Sequence, residues 1–294
     1  MHPEHADQLL AIYVAQVAHA PHCRFAPDQA GFTNDLLGHV PRSAHLYRTP
    51  EPAHMLVAEA AGSAQGFATV ATYRDSEDQA HQAITGLFFT HESAGHALLE
   101  AYERQSARSE LEAFPATHGN TLIQTYNAGW DGLSDRIPNV ARVLTQHGYI
   151  PYQRELHLSA RIEYLQTETK SLPPPIRLRL PEAPADHRGA QRIQALDSHT
   201  EIGVCEYYPL AVLTNTPAAS QTGYIGWLHV NDTFRRRGIA RVLMSAAIAH
   251  LRQQGCNECW LTTAADNWGA QALYLSLGFE VVDCSTSFRK KRDS

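Results

Sequence analysis

The apolar positions of this chain switch repeatedly between a period of two and a period near 3.6. In the second half the order is regular. Ile176 to Leu180 predicts a short strand and Arg188 to Leu196 a helix. Glu201 to Leu213 is extended, with Ile202, Val204, Tyr207, Tyr208 and Val212 as its β-favouring residues. Pro217 to Gln221 predicts a turn and Thr222 to Val230 a strand. A helix is expected over Gly238 to Gln254, because Ile239, Val242, Leu243 and Ala246 recur at i, i+3, i+4 and i+7; Gly255 ends it. Cys259 to Thr263 is a strand. Trp268 to Leu277 is a helix with Ala270, Leu273, Tyr274 and Leu277 on one face, stopped by Gly278, and Phe279 to Val282 begins a last strand.

The first half repeats that order. Ala53 to Val70 predicts two strands turned at Ala61-Gly62-Ser63, followed by a strand at Ala83 to Thr90 and a helix at Gly95 to Ser109. Thr121 to Tyr126 is a strand, Asn139 to Gln146 a helix stopped by Gly148, and Gln153 to Ser159 a final strand. Leu144-Thr145-Gln146-His147-Gly148-Tyr149 occupies the place that Tyr274-Leu275-Ser276-Leu277-Gly278-Phe279 holds in the second half, which reads as an internal duplication. Alternating strands and helices predict an α/β fold on a mixed sheet. Lys170-Ser171-Leu172-Pro173-Pro174-Pro175 stiffens the connection, so the expected division is a first domain over 1–169, a linker over 170–175 and a second domain over 176–294.

Composition narrows the partners. The chain has 294 residues with 44% hydrophobic and 18% charged, enough for real cores. Its net charge of -6 argues against a general nucleic-acid binder. The charge is uneven: residues 1–172 carry 11 basic and 19 acidic side chains, residues 173–294 carry 13 and 11. An anionic ligand should prefer the second part. No apolar run reaches membrane-spanning length. Leu9 to Ala20 is apolar and ends like a signal-peptidase site, but Glu4 and Asp7 precede it with no Lys or Arg, the wrong sign for secretion. Five scattered cysteines fit a reducing cytoplasm better than a disulfide framework.

The informative segment runs from Gly223 to Ala240, where a strand enters a basic turn, Arg235-Arg236-Arg237-Gly238-Ile239-Ala240, and then a helix. The first turn of a helix has unpaired N–H groups and partial positive charge. Gly238 allows close backbone approach and the arginines add charge, so the segment reads as a site for phosphate or pyrophosphate, or as a solvated basic helix start.

This segment resembles the signature of the GCN5-related N-acetyltransferase (GNAT) family, Arg/Gln-x-x-Gly-x-Gly/Ala after the fourth strand. Asn267, with Tyr274 seven residues later, matches the family's next elements. The resemblance is close over about residues 222–282. It implies two tandem acyl-CoA N-acyltransferase-like domains, similar in layout to tandem enzymes such as mycothiol synthase. It also implies acetyl-CoA as co-substrate without a metal, and a small-molecule amine as acceptor. By the same resemblance Leu228, His229 and Val230 would hold the pantetheine arm on exposed strand backbone. Arg235, Arg236, Arg237, Gly238, Ile239, Ala240 and Arg241 would form the pyrophosphate loop, and Asn267 would fix the loop or the arm. Tyr274 would protonate the leaving thiolate. Transfer to a protein amine, transfer of another acyl group, and non-catalytic acyl-CoA binding are the alternatives.

The general base is less clear. Family members often carry Glu or His at positions matching Tyr224 and Gly226, and neither residue here is a base. Simple alternation turns His229 to the face opposite Tyr224, Gly226 and Leu228. Glu206 on the preceding strand is the candidate, acting directly or through water, unless it is an exposed strand carboxylate. In the first part Glu92-Ser93-Ala94-Gly95-His96-Ala97 aligns with the pyrophosphate turn, but Glu92 replaces arginine and Leu144 replaces Tyr274, so that domain is expected to be degenerate. Its acidic surface could draw a cationic amine. Cys256-x-x-Cys259 has no second ligand pair and predicts buried thiols, and the 17 histidines form no metal-binding motif.

Overall fold

The computed structural model describes residues 3–21, 32, 51–74, 80–106, 108–115, 132–167, 172, 174–181, 190–212 and 216–292. The chain divides into two compact units: Met1–Glu155 with Asp283–Ser294, and Leu156–Val282. The expected linker at 170–175 therefore lies inside the second unit, and the end of the chain counts with the first. The sheet and helix alternation makes both units mixed α/β.

Unit 1 opens with α1 (Pro3–Val17), the apolar stretch that resembled a leader. Strands β1 (Glu51–Ala60) and β2 (Ser63–Arg74) form an antiparallel hairpin. Its turn holds Ala61 at φ 50 and Gly62 at φ 77, the left-handed pair that suits strand twist. β3 (Ala80–Phe89) pairs with β2, then α2 (Glu92–Gln105) leads to β4 (Glu110–Ala113), parallel to β3. β5 (Leu133–Ser134), α3 (Pro138–Gln146) and β6 (Ile150–Arg161) follow. The predicted strand Thr121–Tyr126 lies outside the described residues. Tyr13 of α1 meets the Phe88 ring edge-on at 5.0 Å, and Phe88 lies 4.9 Å from Phe67, so aromatic contact sets this core.

In unit 2 a 3₁₀ turn (Ile162–Tyr164) precedes β7 (Ile176–Arg179), β8 (Gln191–Asp197) and β9 (Thr200–Pro209). A 3₁₀ turn (Leu210–Val212) and a one-turn helix α4 (Pro217–Ser220) lead to β10 (Thr222–Val230). After a further 3₁₀ turn (Asp232–Phe234) come α5 (Ile239–Gln253), β11 (Glu258–Ala264) and α6 (Trp268–Leu277); β12 (Glu280–Lys291) starts in this unit and from Asp283 counts with unit 1. Strands run β7-β8-β9-β10-β11 across this unit. Leu243, Ile248 and Leu251 of α5 and Tyr274 and Leu277 of α6 share one core with Ile193, Cys205, Ile225 and Leu261 of the strands. Both helices thus cover the same face.

One helix expectation fails. Arg188 to Leu196 was expected to be helical, yet its described part enters β8. Ile193 and Ala195 are buried while Arg192 is exposed and Gln194 only half-buried, a period of two. Pairing with β7 and β9 on both edges holds it extended.

The unit boundary changes the charge balance. Arg289, Lys290, Lys291 and Arg292 count with unit 1, which carries 13 basic and 19 acidic side chains, and unit 2 carries 11 of each. Strand β12 is fixed in unit 1 by pairing with β4 and β5 and by the buried Asp283. The Asp283 carboxylate accepts from Ser134 Oγ at 2.7 Å and from the Cys284 N–H at 2.8 Å. Asp283→Ala leaves both donors short of an acceptor in a buried setting. It should lower the unfolding free energy by about 2–3 kcal/mol, measured by urea denaturation.

Candidate active site

β10 and β11 run parallel, but their ladder has only four pairs, from Thr222↔Glu258 to Ile225↔Leu261. Beyond Ile225 the strands part. On its other edge β10 stays paired with β9 as far as Val230↔Gly203. That register jumps between Ile225↔Tyr207 and Trp227↔Glu206, so Gly226 is an extra residue, a β-bulge. The bulge bends β10 away from β11 and leaves a strip of β10 backbone open toward the gap.

The turn after β10 has the geometry that suits an anion. Arg236 has φ 66 and Gly238 φ 82, two left-handed residues that gather successive N–H groups into a concave surface. Gly238 is also the N-cap of α5 and provides no side-chain acceptor, so the first N–H groups of the helix remain open. A Cβ at Gly238 would have nothing within 4 Å, so the space above the turn is free for a ligand. The arginines divide their work. Arg235 donates from Nε to the Val230 carbonyl at 3.0 Å and pairs with Asp232 at 2.8 Å. Arg237 donates to the Thr233 carbonyl at 3.1 Å and lies over the Phe234 ring. Arg241 bonds Ser276 Oγ on α6. Arg236 is exposed and has no protein partner among the described residues.

The far wall is the start of α6. Asn267 caps it, its Oδ1 accepting from the Ala270 N–H at 3.3 Å. Tyr274 is buried in the core with Phe279 edge-on at 6.2 Å. Burial is the main cause that pushes its phenol well above the ordinary tyrosine value, so it stays neutral at physiological pH. Its hydroxyl makes no protein hydrogen bond among the described residues. Trp268, at the first position of α6, is 74% exposed.

The sheet face away from α5 and α6 carries the remaining candidates. Tyr208 and Tyr224 meet there with ring centroids 5.5 Å apart and 36° between planes, and Tyr224 Oη and Thr262 Oγ1 lie 3.1 Å apart. Glu206 lies on this face directly opposite Trp227, and Arg192 Nε approaches its carboxylate at 3.4 Å. The expectation for His229 is corrected here. The bulge at Gly226 shifts the alternation by one, so Leu228 and Val230 turn to the helix-covered core. His229 turns to the face of Tyr224 and stacks on Trp227, with rings 6.5 Å apart and 13° between planes. A glycine in mid-strand was the signal for this bulge. Cys256 and Cys259 are free buried thiols, and burial pushes Cys256 up to about 11. Among the described residues no group of three or more His, Cys, Asp or Glu is placed to hold a metal, and no helix is long and apolar enough to cross a membrane.

Unit 1 repeats the device and fills it. β3 and β4 pair at only Ala83↔Glu112 and Ile84↔Ala113, and β3 has a bulge at Thr85. Counted from the bulges, Leu87 and Phe89 correspond to Leu228 and Val230. In unit 1 those two backbone groups are taken. Gln16 of α1 donates to the Leu87 carbonyl at 2.9 Å and accepts from the Phe89 N–H at 2.8 Å. Gly95 also differs from Gly238, since a Cβ there would lie 2.7 Å from the Phe89 ring, and Glu92 at the helix start pairs with Arg142 at 3.0 Å. The helix ends do match: Gly148 and Gly278 are both left-handed, with Tyr149 N–H to Leu144 carbonyl and Phe279 N–H to Tyr274 carbonyl both at 3.1 Å.

Residues 159–279 match the acetyltransferase (GNAT) family. N-alpha-acetyltransferase 30 of Saccharomyces cerevisiae is 42% identical over 57 residues, 19% of this chain and 32% of the relative. Mycothiol acetyltransferase of Kocuria rhizophila is 41% identical over 66 residues, 22% of this chain and 21% of the relative. The chain thus spans about a third or less of these relatives' lengths. A tandem GNAT protein from the clavulanic acid biosynthesis pathway has the same fold, with a TM-score of 0.65 at 14% identity. That match covers 98% of this chain and 96% of the other.

Gly238→Ala forces a Cβ into the left-handed region, with no clash to worsen it. It should cost about 1–2 kcal/mol of stability, read from the denaturant midpoint.

Proposed function

We propose that the chain is an acetyl-CoA-dependent N-acetyltransferase acting on a small-molecule amine, on the ground that residues 159–279 match the GNAT acetyltransferase family. The observation that supports this most is the split between β10 and β11, leading into the open left-handed turn at Arg236 and Gly238. The residues fit the ligand. An extended amide-bearing arm can pair with the strip at Leu228 and Val230, as the Gln16 amide does with the matching strip of unit 1. The N–H groups from Gly238 to Arg241 and the free Arg236 suit a pyrophosphate.

Acetyl-CoA supplies the activated acyl group as a thioester. The chain's part is to position and to move protons. An N–H of the β10 strip polarises the carbonyl, which is worth most in a site that excludes water. Tyr274, kept neutral by burial, gives its proton to the departing sulfur. Holding the amine on the open sheet face beside Trp227 turns a bimolecular encounter into a local one. Unit 1 has no part in cofactor binding in this reading, because its strip is taken by Gln16 and its helix start carries Glu92. The small-molecule acceptor is supported by the likeness to the Kocuria relative, which is named for mycothiol.

The test is thiol release from acetyl-CoA with a panel of amines. Tyr274→Phe should lower kcat by about 10²-fold with little change in acetyl-CoA affinity; an unchanged kcat would remove the acid role. Titration calorimetry should find one CoA bound per chain, and two would show that the Gln16 contact does not close unit 1.

A further inference from the structure

His229 was set aside on alternation, and the bulge at Gly226 brings it back. Its ring lies on the open sheet face, stacked on Trp227, one residue from each of the two backbone positions that present the strip. Its hydrogen bonds also set its tautomer. Asn231 Nδ2 donates to the Glu201 carbonyl at 3.3 Å, which turns Asn231 Oδ1 toward His229. Oδ1 can only accept, so at 3.2 Å the His229 Nε2 carries the hydrogen. Nδ1 is then left with its lone pair and no hydrogen bond from the described residues. A histidine with one nitrogen pinned by an acceptor and the other free is arranged as a proton acceptor.

We propose that His229 is the catalytic residue that deprotonates the acceptor amine, with Asn231 as its positioning residue. This rests on the acetyltransferase reading above. Glu206 is the less suited group, because its carboxylate is engaged by the Arg192 guanidinium at 3.4 Å. His229 Nδ1 takes one proton from the ammonium form, R–NH₃⁺, and the freed lone pair forms the C–N bond as the C–S bond breaks. Tyr274 protonates the sulfur and regains a proton from the acylated nitrogen. The imidazolium passes its proton to solvent. Of the two protons lost by nitrogen, one ends on CoASH and one in water.

Glu201 and Glu206 lie on β9, the strand paired with that of His229; Arg192 of β8 pairs with both, and Asp232 and Arg235 pair with each other in the turn that follows. The acid limb of kcat/KM is the readout for the proton that His229 would accept.

The experiment measures thiol release by the full chain from pH 5.5 to 9, with acetyl-CoA and three amines: glucosamine, a deoxystreptamine aminoglycoside and a tetrapeptide with a free α-amine. His229→Gln should lower kcat/KM about 10²-fold and flatten the acid limb, while acetyl-CoA affinity holds. Asn231→Asp should move the acid limb to higher pH, because a carboxylate on Nε2–H favours the imidazolium; a merely structural Asn231 would not shift it. Glu206→Gln should retain the acid limb. A His229→Gln profile like the wild type's overturns the base assignment and leaves the transferase reading standing. Thiol release absent for every amine, with acetyl-CoA still bound, overturns both. Should His229→Gln also weaken acetyl-CoA binding, the Asn231→Asp profile decides, and an unmoved limb there sinks the proposal.

Discussion

Four residue pairs hold β10 to β11, and the whole site depends on where that ladder stops. A fully paired parallel strand has no free edge to offer. Here pairing ends at Ile225, and the extra residue at Gly226 bends the strand away while its other edge stays in register with β9. Two things follow from that single insertion. The backbone of Leu228 and Val230 is released toward the gap. The side-chain alternation flips, sending Leu228 into the core and His229 to the open face. Glycine suits the position because its missing Cβ leaves room for the Tyr208 ring, which a Cβ would meet at 3.0 Å. Backbone exposure and side-chain direction thus come from one local irregularity.

Unit 1 shows that the split alone does not make a cofactor site. It has the same short parallel ladder and the same bulge, at Thr85. What differs is the occupant. α1 buries Leu9, Ile12 and Tyr13 in the core and thereby places the Gln16 amide on Leu87 and Phe89. Buried backbone groups need partners, and an internal amide provides them permanently. Among the described residues of unit 2 no side-chain amide takes the equivalent places on Leu228 and Val230. The copies have diverged less in their strands than in what fills the space between them.

Much of the architecture was legible in residue pattern. The strand at Thr222–Val230 and the helix at Trp268–Leu277 were read to their ends, because alternation, caps and the stop at Gly278 agree. β8 was misread, since Ile193, Ala195 and Leu196 are too few to separate a helix from a strand and pairing on both sides decided it. The direction of His229 was misread because a bulge breaks the period of two without changing composition. The role of Gln16 was not legible at all. Its partners lie 71 and 73 residues away, and one glutamine in an amphipathic helix carries no local signal. The unit boundary was likewise hidden, because the last strand's pairing with β4 and β5 is a tertiary choice.

The charge of the second unit depends on where its boundary falls. Splitting the chain at its prolines suggested a second half with a slight positive excess, suited to a phosphate. Once β12 is counted where it packs, the second unit carries 11 charges of each sign. Net charge therefore cannot draw an anion to it. In the proposed site the attraction has to be local, and the turn is the place for it. Arg235 and Arg237 spend their hydrogen bonds on Val230 and Thr233. That bracing holds Arg236 and Gly238 in left-handed conformations, which aim backbone N–H groups outward. In the proposed site two arginines would thus act through the shape of the turn, and Arg236, exposed, would be left to meet an anion as a charge. If an arginine-rich loop in a neutral domain takes an anion, its geometry, more than its sum of charges, has to make the site.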